Sequence, residues 1–382
     1  MARKEGEGKI KKLSFKEGKI DIVFLSFVLV LLTLGLVMLF SASYAYSYTY
    51  YDNSFHFILR QTAFAAVGLV AMFFTSRIDY HFYKKFSWVL YAVCLAMLVF
   101  LLIMPPMVQG MDVRRWLAIG SFSFQPSEIA KFSVILLFSH LISVNYKLMD
   151  KFKFILFLVA LLAVVCALVV LEPHISATLL ILAIGVVLMI VGGLSWKYII
   201  GGGISVAVLG LAAYFSGIIG YGSDRIKYWL DPWADAKGLG YQTIQSLLAI
   251  GSGGIMGRGI GQSRQKYLWV PEPHNDFIFS IVCEELGLIG ATVIILLFCA
   301  LVWRGFSIAL KAPDKFGSLL AVGLTFQVGL QAILNILVVT NTIPNTGISL
   351  PFFSYGGTSL VILLAQMGIV LSISRQSSIQ KL

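Results

Sequence analysis

Residues 22–42, IVFLSFVLVLLTLGLVMLFSA, contain no charged side chain. At 1.5 Å per residue they form a helix of roughly 31 Å, enough to cross about 30 Å of hydrocarbon. A bilayer offers backbone amides no water, so only helices or closed barrels span it. Barrel strands would alternate at period two, and this run does not. The same reading along the 382 residues gives roughly ten runs, at 22–42, 57–76, 87–104, 126–144, 154–171, 177–193, 198–217, 277–303, 317–340 and 356–373. The composition agrees, with 58% hydrophobic and 12% charged residues.

The expected fold is all-α, a polytopic membrane protein with about ten transmembrane helices and a large extracytoplasmic loop between helices 7 and 8. The expected division is a cytoplasmic basic tail at 1–21, a single ten-helix domain at 22–375 with the large loop at 218–276, and a cytoplasmic tail at 376–382.

Lys and Arg are retained on the cytoplasmic side of short loops. The first tail carries seven of them, and placing it inside also puts Arg77, Lys84, Lys85, Lys147, Lys151, Lys153, Lys197, Arg304, Lys311, Lys315, Arg375 and Lys381 inside. Nineteen of the 29 basic residues then face the cytoplasm, and the long polar stretch faces out. The net charge of +11 is topology signal and attraction to anionic headgroups, not a nucleic-acid signature. Cys94, Cys166, Cys283 and Cys299 lie in apolar runs without metal-ligand spacing, so neither a disulfide frame nor a metal cluster is expected. The first apolar run lacks a small-residue cleavage site after it and reads as an anchor.

Ionisable groups beside apolar runs are functional candidates because burying them is costly. In QGMDVRRWLAIGSFSFQPSEIAKF (109–132), Gln125-Pro126-Ser127-Glu128 reads as a helix start. Glu128 and Lys131 share one helix face, either pinning helices together or lining a polar cavity. Arg114, Arg115 and Trp116 pair guanidiniums with an indole, which suits an anionic, sugar-like ligand or simply lipid headgroups.

The stretch from Tyr221 to Asp276 carries Asp224, Arg225 and Lys227, then an interfacial aromatic segment around Trp229 and Trp233, then a short helix running into glycines at 251, 253, 254, 257, 259 and 261. Such glycines expose amides to a charged group, and Arg258, Arg264 and Lys266 add positive charge suited to a pyrophosphate. No Gly-Lys-Ser ending is present, so the segment is not an ATP-binding P-loop. Asp276 falls where this loop becomes a helix. It is either an N-cap or a base at the bundle rim, where desolvation raises a carboxylate's pKa. His274 is the rival base. Glu284 and Glu285 sit deeper in the helix, where a structural pairing is expected.

Four ordered segments, RRWLAIGSFSFQPSEIAK (114–131), GYQTIQSLLAIGSGGIMGRGIGQSRQK (240–266), PEPHNDFIFSIVCEELGLIG (271–290) and NTIPNTGISLPFFSYGGTSL (341–360), resemble the SEDS family of shape, elongation, division and sporulation proteins, FtsW, RodA and SpoVE. The resemblance runs from about 20 to 375, and GQSRQKYLWVPEP is similar to the FtsW and SpoVE branch. It implies ten transmembrane helices and a peptidoglycan glycosyltransferase that polymerises lipid II outside the bacterial cytoplasmic membrane. The implied partner is a class B penicillin-binding protein among division or elongation machinery. It further implies Asp276 as catalytic base and Glu128 and Lys131 at a central cavity; Arg114, Arg115, Trp116, Arg225, Arg258, Arg264, Lys266 and His274 are the expected substrate contacts. A divalent cation, Mg or Mn, is an expected helper, and no organic cofactor is expected. Where many members read QPDLGT, this chain has Glu172-Pro173-His174-Ile175-Ser176-Ala177-Thr178, which puts a role for that aspartate in doubt. A lipid II flippase fits the same composition, but its critical charges should run through the membrane midplane. A non-catalytic division scaffold would leave the loop leading to Asp276 unexplained.

Overall fold

The computed structural model describes residues 18–104, 115–119, 122–203 and 227–379. Nine of the ten apolar runs are helices there: α1 Ile22–Tyr51, α2 His56–Arg77, α3 Ser87–Ile103, α4 Pro126–Val144, α5 Phe152–Leu171 and α6 Ile175–Val191, then α8 Ile278–Leu310, α9 Lys315–Val339 and α10 Gly357–Ile379. The short polar helix α7, Tyr241–Gly253, precedes α8. Seven of the nine are long and apolar enough to cross a membrane, and α3 and α6 are shorter apolar helices. This is a multi-pass membrane protein. Most of the run at 198–217, Arg114, Arg225, residues 1–17 and residues 380–382 lie outside the described residues.

Local chemistry sets the helix ends. Asp21 caps α1, accepting from the Phe24 amide at 2.9 Å, and its carboxylate also pairs with Arg304 on α8 at 2.7 Å. Pro126 opens α4, with Glu128 in its first turn where the helix dipole favours a carboxylate. α1 continues nine residues past the run at 22–42 into SYAYSYTYY, because ring contacts hold that extension: Tyr46 lies 4.8 Å from His274 and Tyr51 stacks on His56 at 3.9 Å.

Small residues let the helices approach closely. Gly68 and Gly368 bring α2 against α10, where Thr75 Oγ1 donates to the Ala365 carbonyl at 2.9 Å. α4 sits innermost, against α3, α6 and α9. One end of the bundle is basic and tied by polar contacts. There Tyr80 donates to Asp314, Arg375 donates to the Arg77 carbonyl at 2.7 Å, and Lys315 Nζ lies 3.1 Å from the Tyr146 ring centroid.

One element is absent from the helical reading. Leu117–Ile119 (β1) pairs antiparallel with Phe122–Phe124 (β2), Leu117 opposite Phe124. In sequence only two residues separate LAI from FSF, the spacing of a tight hairpin. This hairpin leads directly into α4.

Candidate active site

At the end opposite the basic one, α2, α4, α6, α9, α10 and their loops enclose a cavity of about 670 Å³. Glu128 and Lys131 both line it, and Lys131 Nζ donates to Glu128 Oε1 at 2.7 Å. Lys131 is only 1% exposed, so the two candidate roles coincide: an ion pair that is also a cavity wall. Arg115 and Trp116 reach the same wall, and Arg115 is anchored by donating to the Pro173 carbonyl.

Asp276 borders this cavity and a second one of about 490 Å³ beside it. The N-cap of α8 is Phe277, with no side-chain cap hydrogen bond, so the Asp276 carboxylate is not consumed in capping. Its main chain is fixed instead, because Asn335 Nδ2 donates to the Asp276 carbonyl at 2.6 Å and to the Ile348 carbonyl at 2.7 Å. Gly347, at φ +68°, lies against the carboxylate, and a Cβ there would stand 3.3 Å from Oδ2. Burial, helped by the negative charge of Glu272, pushes the carboxyl up from 3.8 to about 6. A carboxylate so placed is ionised at neutral pH and more basic than a solvated one.

His274 lies two residues away but faces elsewhere. It is 3% exposed, its ring 4.2 Å from Phe57 and 4.8 Å from Tyr46, and it lines neither cavity. Burial pushes its imidazole down to about 4, so it is neutral at pH 7. Its carbonyl accepts from the Tyr355 amide at 2.8 Å, which makes the residue a brace between loops and not a second base at the cavity.

The glycine-rich loop also departs from the expectation of an open anion cradle. α8 breaks at Gly287, φ +66°, where the loop backbone crosses so closely that a Cβ would meet the Gly257 nitrogen at 2.2 Å. The loop amides already have partners: Arg258 and Gly259 donate to the carbonyls of Glu284 and Glu285, and Arg264 donates to Glu284 Oε1 at 2.9 Å. Lys266 is 3% exposed and its ammonium is held by Glu285 Oε1 at 3.1 Å, Ser41 Oγ at 3.0 Å and the Gly261 carbonyl at 2.7 Å. Arg258 donates to the Ser252 carbonyl at 3.2 Å and Arg264 is exposed, and neither lines the cavity that holds Asp276. The chain's own Glu284 and Glu285 occupy the place proposed for a phosphate. Arg258, Arg264 and Lys266 therefore belong to a clasp between the loop and α8.

Residues not singled out from the sequence complete the cavity. Arg60 on α2 and Gln331 on α9 line it. Arg60 carried a signal, a lone guanidinium one turn inside an apolar run. Asn335 and Gly347 carried none, since an amide and a glycine show their purpose only through the carbonyls and carboxylate they meet. His174, which replaces the aspartate of the QPDLGT pattern, also lines the cavity, with Gln125 Nε2 3.3 Å and Ser127 Oγ 3.4 Å from its Nδ1. Burial pushes it down to about 3, so a neutral ring stands at that position.

A bundle of apolar helices around a polar cavity, with cations on its wall and a carboxylate poised at its edge, defines a multi-pass membrane protein with a charge-lined site at one end of the bundle. Residues 22–379 match the FTSW_RODA_SPOVE family model, described as cell cycle protein, and the chain belongs to this family. Among its relatives, Stage V sporulation protein E of Bacillus subtilis (strain 168) is 40% identical over 96% of this chain and 100% of its own length. The probable peptidoglycan glycosyltransferase FtsW of Geobacter sp. (strain M18) is 37% identical over 93% of this chain and 96% of that one. A solved structure described as "Structural coordination of polymerization and crosslinking by a peptidoglycan synthase complex" superposes with a TM-score of 0.80 at 27% identity, covering 94% of this chain and 98% of that one. The rod shape determining protein RodA of Thermus thermophilus superposes at 0.69 with 26% identity, covering 94% and 97%.

Proposed function

We propose that the chain is a peptidoglycan glycosyltransferase that joins lipid II units into β-1,4-linked glycan, with Asp276 as the general base. The observation that carries this is the position of Asp276 at the edge shared by two cavities, so that its carboxylate can meet a hydroxyl arriving from one side and a sugar carbon held on the other. Curated relatives named as probable peptidoglycan glycosyltransferases support the same reading.

In the proposed step the ionised carboxylate takes the proton of the attacking 4-hydroxyl of N-acetylglucosamine as its oxygen bonds to the anomeric carbon. The bond from that carbon to the phosphate oxygen breaks with inversion, and the electron pair leaves on the pyrophosphate. General-base action of this kind contributes on the order of 10²–10⁴ in rate. Arg60, Arg115 and Lys131 surround the first cavity, where positive charge stabilises a departing diphosphate. Among the described residues no group of three or more His, Cys, Asp or Glu side chains is placed to hold a metal ion. A divalent cation remains part of the proposal as a helper at the diphosphate, beside the roles assigned to these side chains.

The distribution of Lys and Arg supports a cytoplasmic basic end, and with it Asp276 on the outer side of the bacterial cytoplasmic membrane, where a lipid-linked sugar would be polymerised. A class B penicillin-binding protein is the proposed partner, in keeping with the synthase complex that this chain resembles. The test is polymerisation of purified lipid II by the chain co-purified with candidate transpeptidases, wild type against Asp276→Asn. A flippase would move lipid II across vesicles with Asn at 276 and form no glycan.

A further inference from the structure

At the basic end of the bundle, away from Asp276, a cavity of about 280 Å³ lies where the start of α1 meets the last turns of α8 and α10. Lys19, Asp21 and Ile22 edge it from one side, Arg304 and Lys311 from another, and Ser377 from the third. Among the described residues that line it, three are cations and one is a carboxylate. Arg304 Nε donates to both Asp21 oxygens, at 3.0 and 2.9 Å, and the Asp21 amide donates to Ser374 Oγ at 3.1 Å. That pair cancels its own charge and ties the three helices together. The excess charge of the cavity is that of Lys19 and Lys311, both exposed.

The surroundings are apolar. Ile22, on the cavity wall, is 67% exposed, and Val23 beside it is exposed too. On α8, Trp303 and Leu310 stand one turn to either side of the lining residue Ser307, and Leu310 is 87% exposed. In a chain that crosses a bilayer, apolar side chains this open lie against lipid, and an indole near a helix end marks the interface with water.

A charged recess among lipid-facing side chains suits one occupant. Its volume falls below the roughly 300–1,000 Å³ of a site that encloses a whole small ligand, so it takes a headgroup whose remainder stays outside. Lysine ammonium groups bind phosphate oxygens as point charges, and basic pockets between membrane helices are headgroup sites. We infer that this cavity seats the phosphodiester of an anionic phospholipid from the leaflet at the basic end, between Lys19 and Lys311, with its acyl chains along Ile22, Val23 and Leu310. The bound lipid clips α1 to α8 beside the Asp21–Arg304 pair. This site stands apart from the chemistry at Asp276 and does not depend on it.

The full-length chain in detergent is titrated with phosphatidylglycerol and with phosphatidylcholine, and bound lipid is counted by native mass spectrometry. Wild type should hold one phosphatidylglycerol in preference to phosphatidylcholine. Lys19→Gln combined with Lys311→Gln should weaken phosphatidylglycerol about thirtyfold, the effect of two lysines beside an anionic headgroup, and leave phosphatidylcholine within about twofold. Ser377→Glu, which brings a carboxylate to the cavity wall, should weaken phosphatidylglycerol in the same sense. Lys151→Gln combined with Lys153→Gln removes equal charge at the start of α5, which packs against α3, α4 and α6, and should leave both lipids within about twofold.

Equal binding of the two lipids by wild type overturns the site. So does phosphatidylglycerol affinity that is unchanged in both the Lys19/Lys311 double variant and Ser377→Glu. Weakening by the Lys151/Lys153 changes as large as that by the Lys19/Lys311 changes would show a general attraction of the basic end to anionic lipid, and overturns it as well.

Discussion

The side-chain amide of Asn335 donates to the main-chain carbonyl of Asp276 at 2.6 Å, and the same nitrogen reaches the Ile348 carbonyl at 2.7 Å. One fully buried amide therefore sets the distance between the loop bearing the carboxylate and the loop bearing Gly347. Asn335→Ala removes the donor to both carbonyls and leaves the buried Ile348 carbonyl unsatisfied, which costs about 1–3 kcal/mol. Thermal unfolding should move down accordingly, and polymerisation should fall at least tenfold at a temperature where the variant is still folded. Full activity in a destabilised Asn335→Ala would show that the carboxylate does not depend on this clamp.

Asp276 titrates near 6 because burial and the Glu272 charge disfavour its ionised form. The base form therefore accumulates as pH rises, and the rate should climb through an acidic limb centred near 6. Glu272→Gln removes a charge that raises this pKa, so the limb should move to lower pH while the plateau rate stays close to wild type. The pH–rate profile of both proteins measures this, and a limb that does not move would rule out Glu272 as the electrostatic neighbour.

Gly347 has a positive φ, and a methyl group there would stand 3.3 Å from Asp276 Oδ2. An L-residue at this φ is strained, and its Cβ crowds the carboxylate. Gly347→Ala should lower kcat by one to two orders of magnitude, because misplacing a reacting group by about 1 Å costs on the order of 10². Its effect on the binding of undecaprenyl diphosphate should be small, and steady-state kinetics beside a binding titration separate the two.

Much of the architecture was legible as hydrophobic run length. α4 begins and ends where the run 126–144 does, since Pro126 and Glu128 mark its start and the apolar pattern stops at Val144. α1 outruns its apolar segment because aromatic contacts, absent from any hydropathy pattern, continue the helix to Tyr51. The Glu128–Lys131 pair was legible because two residues three apart on a helix must be neighbours. Lys266 was not, because the partners that claim its charge are Glu285, 19 positions away, and Ser41, 225 away. Glycines beside arginines signalled a loop that closely approaches something charged. Here that something is Glu284 and Glu285 of the same chain, which no local spacing distinguishes from a phosphate.

Those partners make a prediction of their own. Lys266→Met leaves Glu285 buried without its cation, and removing one member of a buried pair costs about 3–5 kcal/mol. The double change Lys266→Met with Glu285→Gln should recover a large part of that loss. Unfolding of the three variants in detergent measures the coupling, and simple additivity would contradict a clasp role for the pair.

Polymerisation of purified lipid II by wild type and Asp276→Asn, each with its transpeptidase partner, tests the central claim most directly. Between about pH 4 and 6 the unfolded chain releases the Asp276 proton before the folded one does, so rising pH costs the folded state stability, a cost that asparagine removes. The account predicts that Asp276→Asn melts no lower than wild type at pH 7 and forms no glycan. Glycan made at the wild-type rate by the folded variant would contradict it.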